Sequence, residues 1–452
     1  MKKNLFKQKN IKGRVCENYY IYLHHAFYII VLDKKITIIN VYIKQIDFDP
    51  WYIKKIMKRE CMKILVLGGC GIQGRTALYD LASDAQVSEI ICADIRFDEL
   101  SKIKNFTDMN KITIVRTDAQ NKSNLLDLYR KVDVVIDLLP KDFKTHVNEA
   151  ALEAKVHVVN TNYMYDTKDL DKKAKEAGIT IMPECGLDPG IDLVIYGDAK
   201  NRFDSLTEIN SYCGGFPERK ACTNPLNYKL SWIWRGVLNS TMRDARIIKD
   251  RKIIEIPSAI QHDESFVHEI QFPDLGTLEA IPNGDAVFFT DRMGLTKAII
   301  DTGRYSLRWP GWSAFWRPLK ELGFLSEDPV QGLDGRVSPM DFMEKHLGPK
   351  LTYQDDEKDL VAMINIFEGI KDNQKMRFTS SMLIERDLET GIMAMSKGVA
   401  YTASIVAKMI ARGEIKEKGV LSPITHIPVT PFMERLKKRK IVITEKMEEI
   451  AG

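Results

Sequence analysis

At 452 residues, 44% apolar and 28% charged, the chain is too long for one core and of ordinary globular composition, so two or three domains are expected. The net charge of +4 is uneven: residues 1–61 hold 13 Lys and Arg against 5 Asp and Glu, and the acidic remainder lacks the clustered basic face of a nucleic-acid binder. No apolar run reaches the ~18 residues of a membrane span, and the seven cysteines show neither a CxxC pair nor metal-ligand spacing.

Residues 1–61 are rich in Lys, Ile, Asn and Tyr and end in a basic run from Lys54 to Arg59. They lack amphipathic order and the small-residue cleavage site of a targeting peptide, and are expected to be a dispensable extension ahead of a start at Met62. From Met62, β-branched runs recur at Lys63–Leu67, Glu89–Ala93, Ile112–Val115, Val132–Leu138, Val156–Val159 and Ile179–Met182. Helical patterns lie between them over Gly74–Ser83, Phe143–Lys155 and Lys168–Ala177, the last stopping at Gly178. Continuous apolar strands alternating with helices predict an α/β domain over 62–185, a doubly wound parallel sheet of the Rossmann type.

The texture then changes. From Ile209 to Met293 the pattern is strand-like with Gly, Pro and Asn punctuation. Helical stretches follow near Arg317–Leu322 and Pro339–His346, then strands at Val361–Phe367 and Met376–Ile384. A second, mixed α+β substrate domain with a largely antiparallel sheet is expected over 186–390. Met395, Val399, Thr402 and Val406 recur at helical spacing within Gly391–Arg412, and segment 391–452 is expected to be helical and to pack back on the first domain.

The first strand runs into Gly69-x-Gly71-x-x-Gly74. Gly69 permits the tight turn, Gly71 leaves room for a pyrophosphate, and Gly74 allows close approach of helix and strand; Ile72 and Gln73 open a helix whose N–H groups favour the anion. Asp94 ends the second strand, 20 residues beyond Gly74, where an acid accepts from the ribose hydroxyls and repels a 2′-phosphate. That favours NAD, while Arg96 offers a partner for the phosphate of NADP. Asp118 and Ala119 follow the third strand and Leu139 and Pro140 the fourth, at strand ends where a dinucleotide lies. Asp188 and Asp192 flank a Pro-Gly turn after the sixth strand. One acid can face a substrate ammonium, and the other can cap a helix beginning at Ile191. Cys213, without a nearby His, reads as a buried thiol and not as a nucleophile.

These stretches resemble the saccharopine dehydrogenase family, in particular its glutamate-forming saccharopine reductases and lysine-dehydrogenase-like members. The matching segments are the Gly69–Gly74 loop, Gly186–Asp192, Tyr212–Pro217, Asn224–Leu238, Gly276–Asp285, Ser306–Gly311 and the tail from Gly413 to Pro423. The resemblance implies an NAD(P)-dependent oxidoreductase that removes hydride from the carbon of a secondary amine, forming an imine that water cleaves to an aldehyde and an amino acid. It also implies substrate contacts at Tyr163, Asp188, Cys213, Ser306 and Arg308. Asp188 and Lys229 are the proton-transfer candidates by residue type. Three departures set the chain apart from the fungal reductases: Gly284 and Leu193 replace an Arg and a His, and the pair Asp94-Ile95 replaces Cys-Arg. A lysine 6-dehydrogenase or carboxyspermidine-type dehydrogenase is the alternative within the class, and a non-catalytic nucleotide-sensing protein the alternative outside it. The expected partner is a small amino-acid substrate, with no nucleic acid, membrane or metal; the expected setting is the cytoplasm, with a homodimer as the candidate assembly.

Overall fold

The computed structural model describes residues 61–163, 165–332 and 335–451, and the backbone of three strands between 20 and 39. The chain divides into two compact units, Met1–Arg59 and Glu60–Gly452. In the first, β1 (Tyr20–His24), β2 (Phe27–Leu32) and β3 (Lys35–Ile39) pair as an antiparallel meander of Ile, Val and aromatic strand formers. The expectation that 1–61 has no regular pattern is revised over these strands. The basic run lies outside the described residues.

The second unit opens with β4 (Met62–Leu67), buried except at Lys63, followed by α1 (Ile72–Ala82) and β5 (Val87–Asp94). Next come β6 (Ile112–Arg116), α2 (Lys122–Tyr129), β7 (Val134–Asp137), α3 (Lys144–Ala154), β8 (His157–Asn160), α4 (Lys168–Ala177) and β9 (Thr180–Met182). The six strands lie in the order β9-β8-β7-β4-β5-β6, all parallel. Each stands within two residues of its sequence expectation. Helix α2, capped by the Asn121 side chain on Asn124 N–H, was not foreseen. The chain runs outward from β4 to β6 and restarts at β7 on the other flank of β4. That reversal opens a crevice at the carboxyl ends of β4 and β7.

The next elements are α5 (Ile191–Arg202), β10 (Ser205–Pro217), α6 (Trp234–Thr241), β11 (Ala245–Lys249), β12 (Lys252–Ile256), β13 (His268–Phe272) and β14 (Gly276–Pro282). They continue through α7 (Ala286–Met293), β15 (Asp301–Arg308), α8 (Trp312–Glu321), α9 (Pro339–Leu347), β16 (Asp359–Lys371) and β17 (Gln374–Glu385). Their sheet runs β12-β11-β15-β10-β16-β17, with β14 also paired to β15 and β13 beyond it. Only the β10–β15 pairing is parallel, so the sheet is mixed and mostly antiparallel. Trp234, Trp312 and Trp316 pack with Tyr228 in a separate apolar cluster beside it.

The last segment serves both sheets. Helix α10 (Ala394–Ala411) lies against α1 and touches β7 and β8. β18 (Gly419–Val420) then adds a seventh parallel strand beside β9. After α11 (Val429–Lys438), β19 (Thr444–Glu449) pairs with β17 in the second sheet. The expectation of a helical segment on the first domain therefore needs amending, because strand pairing ties this segment to both domains. Among the described residues no helix is long and apolar enough to cross a membrane, no three His, Cys, Asp or Glu could hold a metal, and the six cysteines are free thiols.

Candidate functional site

The phosphate end of the crevice is set by backbone geometry. Gly68 turns the chain at φ 71°, and a Cβ there would stand 3.1 Å from the Leu138 carbonyl oxygen. A Cβ on Gly74 would strike Gly68, and one on Gly69 would crowd the Cys92 sulfur, so helix, loop and strand meet at distances only glycine allows. Gly71 is the N-cap of α1. It supplies no side-chain acceptor and the first turn holds no acid, which leaves the helix-end N–H groups around Ile72 and Gln73 for an outside anion. The residues therefore fit a dinucleotide pyrophosphate.

Asp94 sits half-buried at the end of β5, beside this loop. One carboxylate oxygen accepts from Cys70 N–H at 2.9 Å, and the other from Ile95 and Arg96 N–H at 2.7 and 3.2 Å. Asp94 thus braces the glycine loop in addition to any ribose contact. The exposed Arg96 side chain has no carboxylate partner among the described residues. Across β6, Asp118 accepts from Gln120 N–H at 2.9 Å, and Ala119 is packed in the core. Neither lines the cavity described next.

That cavity, of about 420 Å³, lies where the ends of β7 and β8 face β10 and β15 of the second sheet. Gln73, Leu139 and Pro140 line it from the coenzyme side. Tyr163, Asp188, Cys213, Ser306 and Arg308 all line it as well, drawn together from segments up to 145 residues apart. Burial pushes the Cys213 thiol pKa up, which disfavours the thiolate. Arg308 is buried, its guanidinium 5.0 Å from the Trp312 ring centre and 5.4 Å from that of Tyr228. Its Nη1 donates to the Leu307 carbonyl at 2.7 Å, and its Nε has no hydrogen-bond partner among the described residues. A buried guanidinium without a counter-ion is costly unless a ligand anion completes it.

The turn Gly186–Asp192 departs from expectation in its detail. The Asp188–Pro189 bond is cis, and a Cβ on Gly190 would strike Gly186. Helix α5 begins at Ile191 as expected, but Asp192 does not cap it. One Asp192 oxygen folds back on Gly190 N–H at 2.7 Å, and the other accepts from Arg304 Nη1 at 2.5 Å. Arg304 Nη2 makes a close ion pair with Asp188. The guanidinium, 2% exposed, thus holds both acids, and its face stacks 4.5 Å from the Phe289 ring. Arg304 was missed in the sequence, although Arg304, Ser306 and Arg308 occupy alternate positions of β15 and so share one face.

Lys229 requires correction. It is absent from the cavity wall, and its ammonium is taken by both Glu357 oxygens at 2.6 Å, in a pair whose side chains are 5% and 13% exposed. Its role is to tie the segment before α6 to the loop before β16. Arg243 was likewise not foreseen. It lines the cavity from the turn between α6 and β11, donating to Asn283 Oδ1 at 3.1 Å. The Cδ of Arg243 stands 3.9 Å from where a Gly284 side chain would begin, so this arginine borders the space of the one absent at Gly284.

Fold and cleft together define a protein in which a parallel sheet of the dinucleotide-binding type faces a substrate-sized cavity closed by a second, mostly antiparallel sheet. The chain belongs to the saccharopine dehydrogenase family: the model of that family's C-terminal domain matches residues 186–442, and that of its NADP binding domain residues 64–182. The mouse mitochondrial alpha-aminoadipic semialdehyde synthase is 27% identical over 447 residues, covering 84% of this chain; the chain spans 47% of that protein's length. A saccharopine dehydrogenase (NADP+, L-glutamate-forming) of Pyricularia oryzae is 28% identical, covering 83% of this chain and 97% of that protein. The apo structure of the Saccharomyces cerevisiae saccharopine dehydrogenase (L-Glu forming) superposes with a TM-score of 0.74 at 24% identity, over 86% of this chain and all of that one, and shows the shared fold.

Proposed function

We propose that the protein is an NAD(P)-dependent oxidoreductase acting on the secondary amine of an amino-acid-derived substrate, saccharopine or a close analogue, in lysine metabolism. The observation that carries this reading is the convergence of Asp188, Ser306 and Arg308 with Gln73, Leu139 and Pro140 around one cavity at the coenzyme crevice. When bound, the nicotinamide supplies the hydride acceptor. Arg308 holds a substrate carboxylate with the planar fork that lysine lacks. Asp188, kept in place by Arg304, faces the amine, balances the positive charge that grows on nitrogen, and takes its proton. Water then adds to the carbon of the imine, and cleavage of the C–N bond releases an aldehyde and an amino acid.

Asp94 favours NAD, whereas Arg96, without a carboxylate partner among the described residues, is the residue that would admit the NADP of the fungal relatives. The free thiols of the described cysteines favour a reducing compartment, the cytoplasm in this proposal. The test follows NAD+ and NADP+ reduction with saccharopine, lysine and carboxyspermidine in parallel. Turnover of saccharopine with release of an amino acid supports the assignment. Preference for lysine or carboxyspermidine replaces it with those activities, and coenzyme binding without turnover of any substrate makes the protein a nucleotide sensor.

A further inference from the structure

Charges at the cavity do not balance within the protein. Asp188, Asp192 and Arg304 form a cluster of formal net charge −1, which suits a substrate amine or ammonium. Arg308 and Arg243 both line the cavity, and neither has a carboxylate partner among the described residues. Guanidinium groups stay ionised at any working pH, so two positive charges without an ion-pair partner among the described residues face the space. An arginine on open surface can be left to water. Arg243 instead is half-buried and fixed: Nη1 is held by Asn283, and Cζ lies 6.0 Å from the Tyr163 ring centre.

Its backbone is fixed as well. Arg246 N–H donates to the Gly284 carbonyl at 3.0 Å, and the Arg246 side chain pairs with Asp285 at 3.0 Å, stitching the Arg243 turn to the Asn283–Asp285 turn. Gln261 Nε2 bridges the Ser240 and Pro282 carbonyls at 3.1 and 2.8 Å, across the same two stretches. A cation held this firmly at a cavity wall, with no carboxylate partner among the described residues, is placed for an anion of the ligand.

We infer that Arg243, with Asn283, seats a second substrate carboxylate distinct from the one at Arg308, an inference that rests on the reading of the cleft as a secondary-amine site. The cavity then matches a ligand with one amine and at least two carboxylates, an N-substituted amino dicarboxylate. It suits a monocarboxylate such as lysine poorly, because one guanidinium would remain desolvated and unpaired. Arg243 is thus a specificity-determining residue for the proposed reaction.

Two measurements test the assignment. In the first, glutarate, a dicarboxylate without an amine, is titrated by calorimetry into the full chain and into the Arg243→Gln and Arg243→Lys variants. A charged hydrogen bond of ordinary strength predicts about a 10- to 100-fold weaker affinity for Arg243→Gln, with Arg243→Lys between it and the wild type. Equal affinity in wild type and Arg243→Gln, or no glutarate binding to the wild type, overturns the inference.

The second compares saccharopine with three analogues, each with one carboxylate replaced by methyl, through KM and kcat. One analogue loses about 10- to 100-fold in KM against the wild type and almost nothing further in Arg243→Gln, because the contact is already gone. A uniform loss across all four compounds in the variant overturns the inference. Should Arg243→Gln fail to fold, full wild-type affinity for every methyl analogue overturns it just as firmly, and loss for two different analogues supports it. Saccharopine left unreacted while glutarate binding still depends on Arg243 removes the functional reading and keeps the carboxylate seat.

Discussion

Arg304 and Arg308 stand four residues apart on one face of β15, and their surroundings give them opposite tasks. Arg304 is neutralised by two acids and fixes the turn that carries Asp188, whereas Arg308 has aromatic rings and a carbonyl against it and no ion pair with a carboxylate among the described residues. Arg308→Lys is expected to raise KM at least about 10-fold with a small change in kcat, since lysine keeps the charge and loses the two-point fork. Coenzyme affinity should not move; a parallel loss of NADH binding in a fluorescence titration would assign Arg308 to the fold or the coenzyme instead. For Asp94→Ala, a loss of about 1–3 kcal/mol in NAD affinity is expected. The part shared with NADP reports the freed Cys70 N–H and a looser glycine loop, and the NAD-specific remainder reports the ribose contact.

Asp137 provides a residue-scale pH test away from the substrate. It is wholly buried at the end of β7, and burial raises its pKa from 3.8 to about 7, against the opposing Leu139 N–H bond. The folded state therefore keeps a proton that the unfolded chain gives up, so this group's contribution to stability is lost as pH rises from about 4 to about 7. Asp137→Asn should be nearly neutral at the acid end of that window and stabilising by on the order of 4 kcal/mol above it. Melting curves across that range check the sign, and a gap that is constant at all pH would refute it. At this scale the glycine cradle was legible in the motif, whereas the grouping of the five cavity residues came from the family resemblance and not from any local pattern. The Arg304 pairing was legible only as alternation along β15, because the motif that drew attention began two residues later, at Ser306.

At the scale of elements, α10 was visible in the spacing of Met395, Val399, Thr402 and Val406, but its partner was not. Lys408, 1% exposed, lies 2.9 Å from Asp84 and 3.5 Å from Asp80, and Arg439 beyond α11 also grips Asp80 at 2.5 Å. These pairs link positions 324 to 359 residues apart, and no local pattern encodes such a choice. Removing one partner of a buried ion pair leaves an uncompensated charge, so Lys408→Ala should cost about 3 kcal/mol, at the low end of the range because Arg439 and Arg412 remain. A melting temperature equal to that of the wild type would mean that apolar packing alone holds α10 on α1.

On the whole-molecule scale the two sheets are not independent modules. β18 completes the first and β19 the second, and both belong to the segment beyond residue 391. Residues 62–185 expressed alone should therefore lack the covering helix α10 and expose the apolar face of α1, giving aggregation or partial folding by circular dichroism and light scattering. A chain starting at Met62 should by contrast retain fold and turnover, because Glu60–Gly452 is a compact unit in its own right. Loss of soluble protein on that truncation would show that the extension contributes to folding. The two-sheet architecture was legible from alternating texture, whereas a two-residue strand such as β18 carries too little pattern to be seen before its neighbours are known.

The late arrival of those strands has a consequence for biosynthesis. A ribosome making this protein from the N-terminal end has finished β4 to β9 long before it reaches Gly419, and β10 to β17 before it reaches Thr444. Through that interval β9 and β17 both present open strand edges, and the apolar surface under α10 is bare. Until Thr444 has emerged the nascent chain is expected to need protection from aggregation, and a message cut short anywhere before Thr444 should yield a product marked for degradation instead of a protein with one working half.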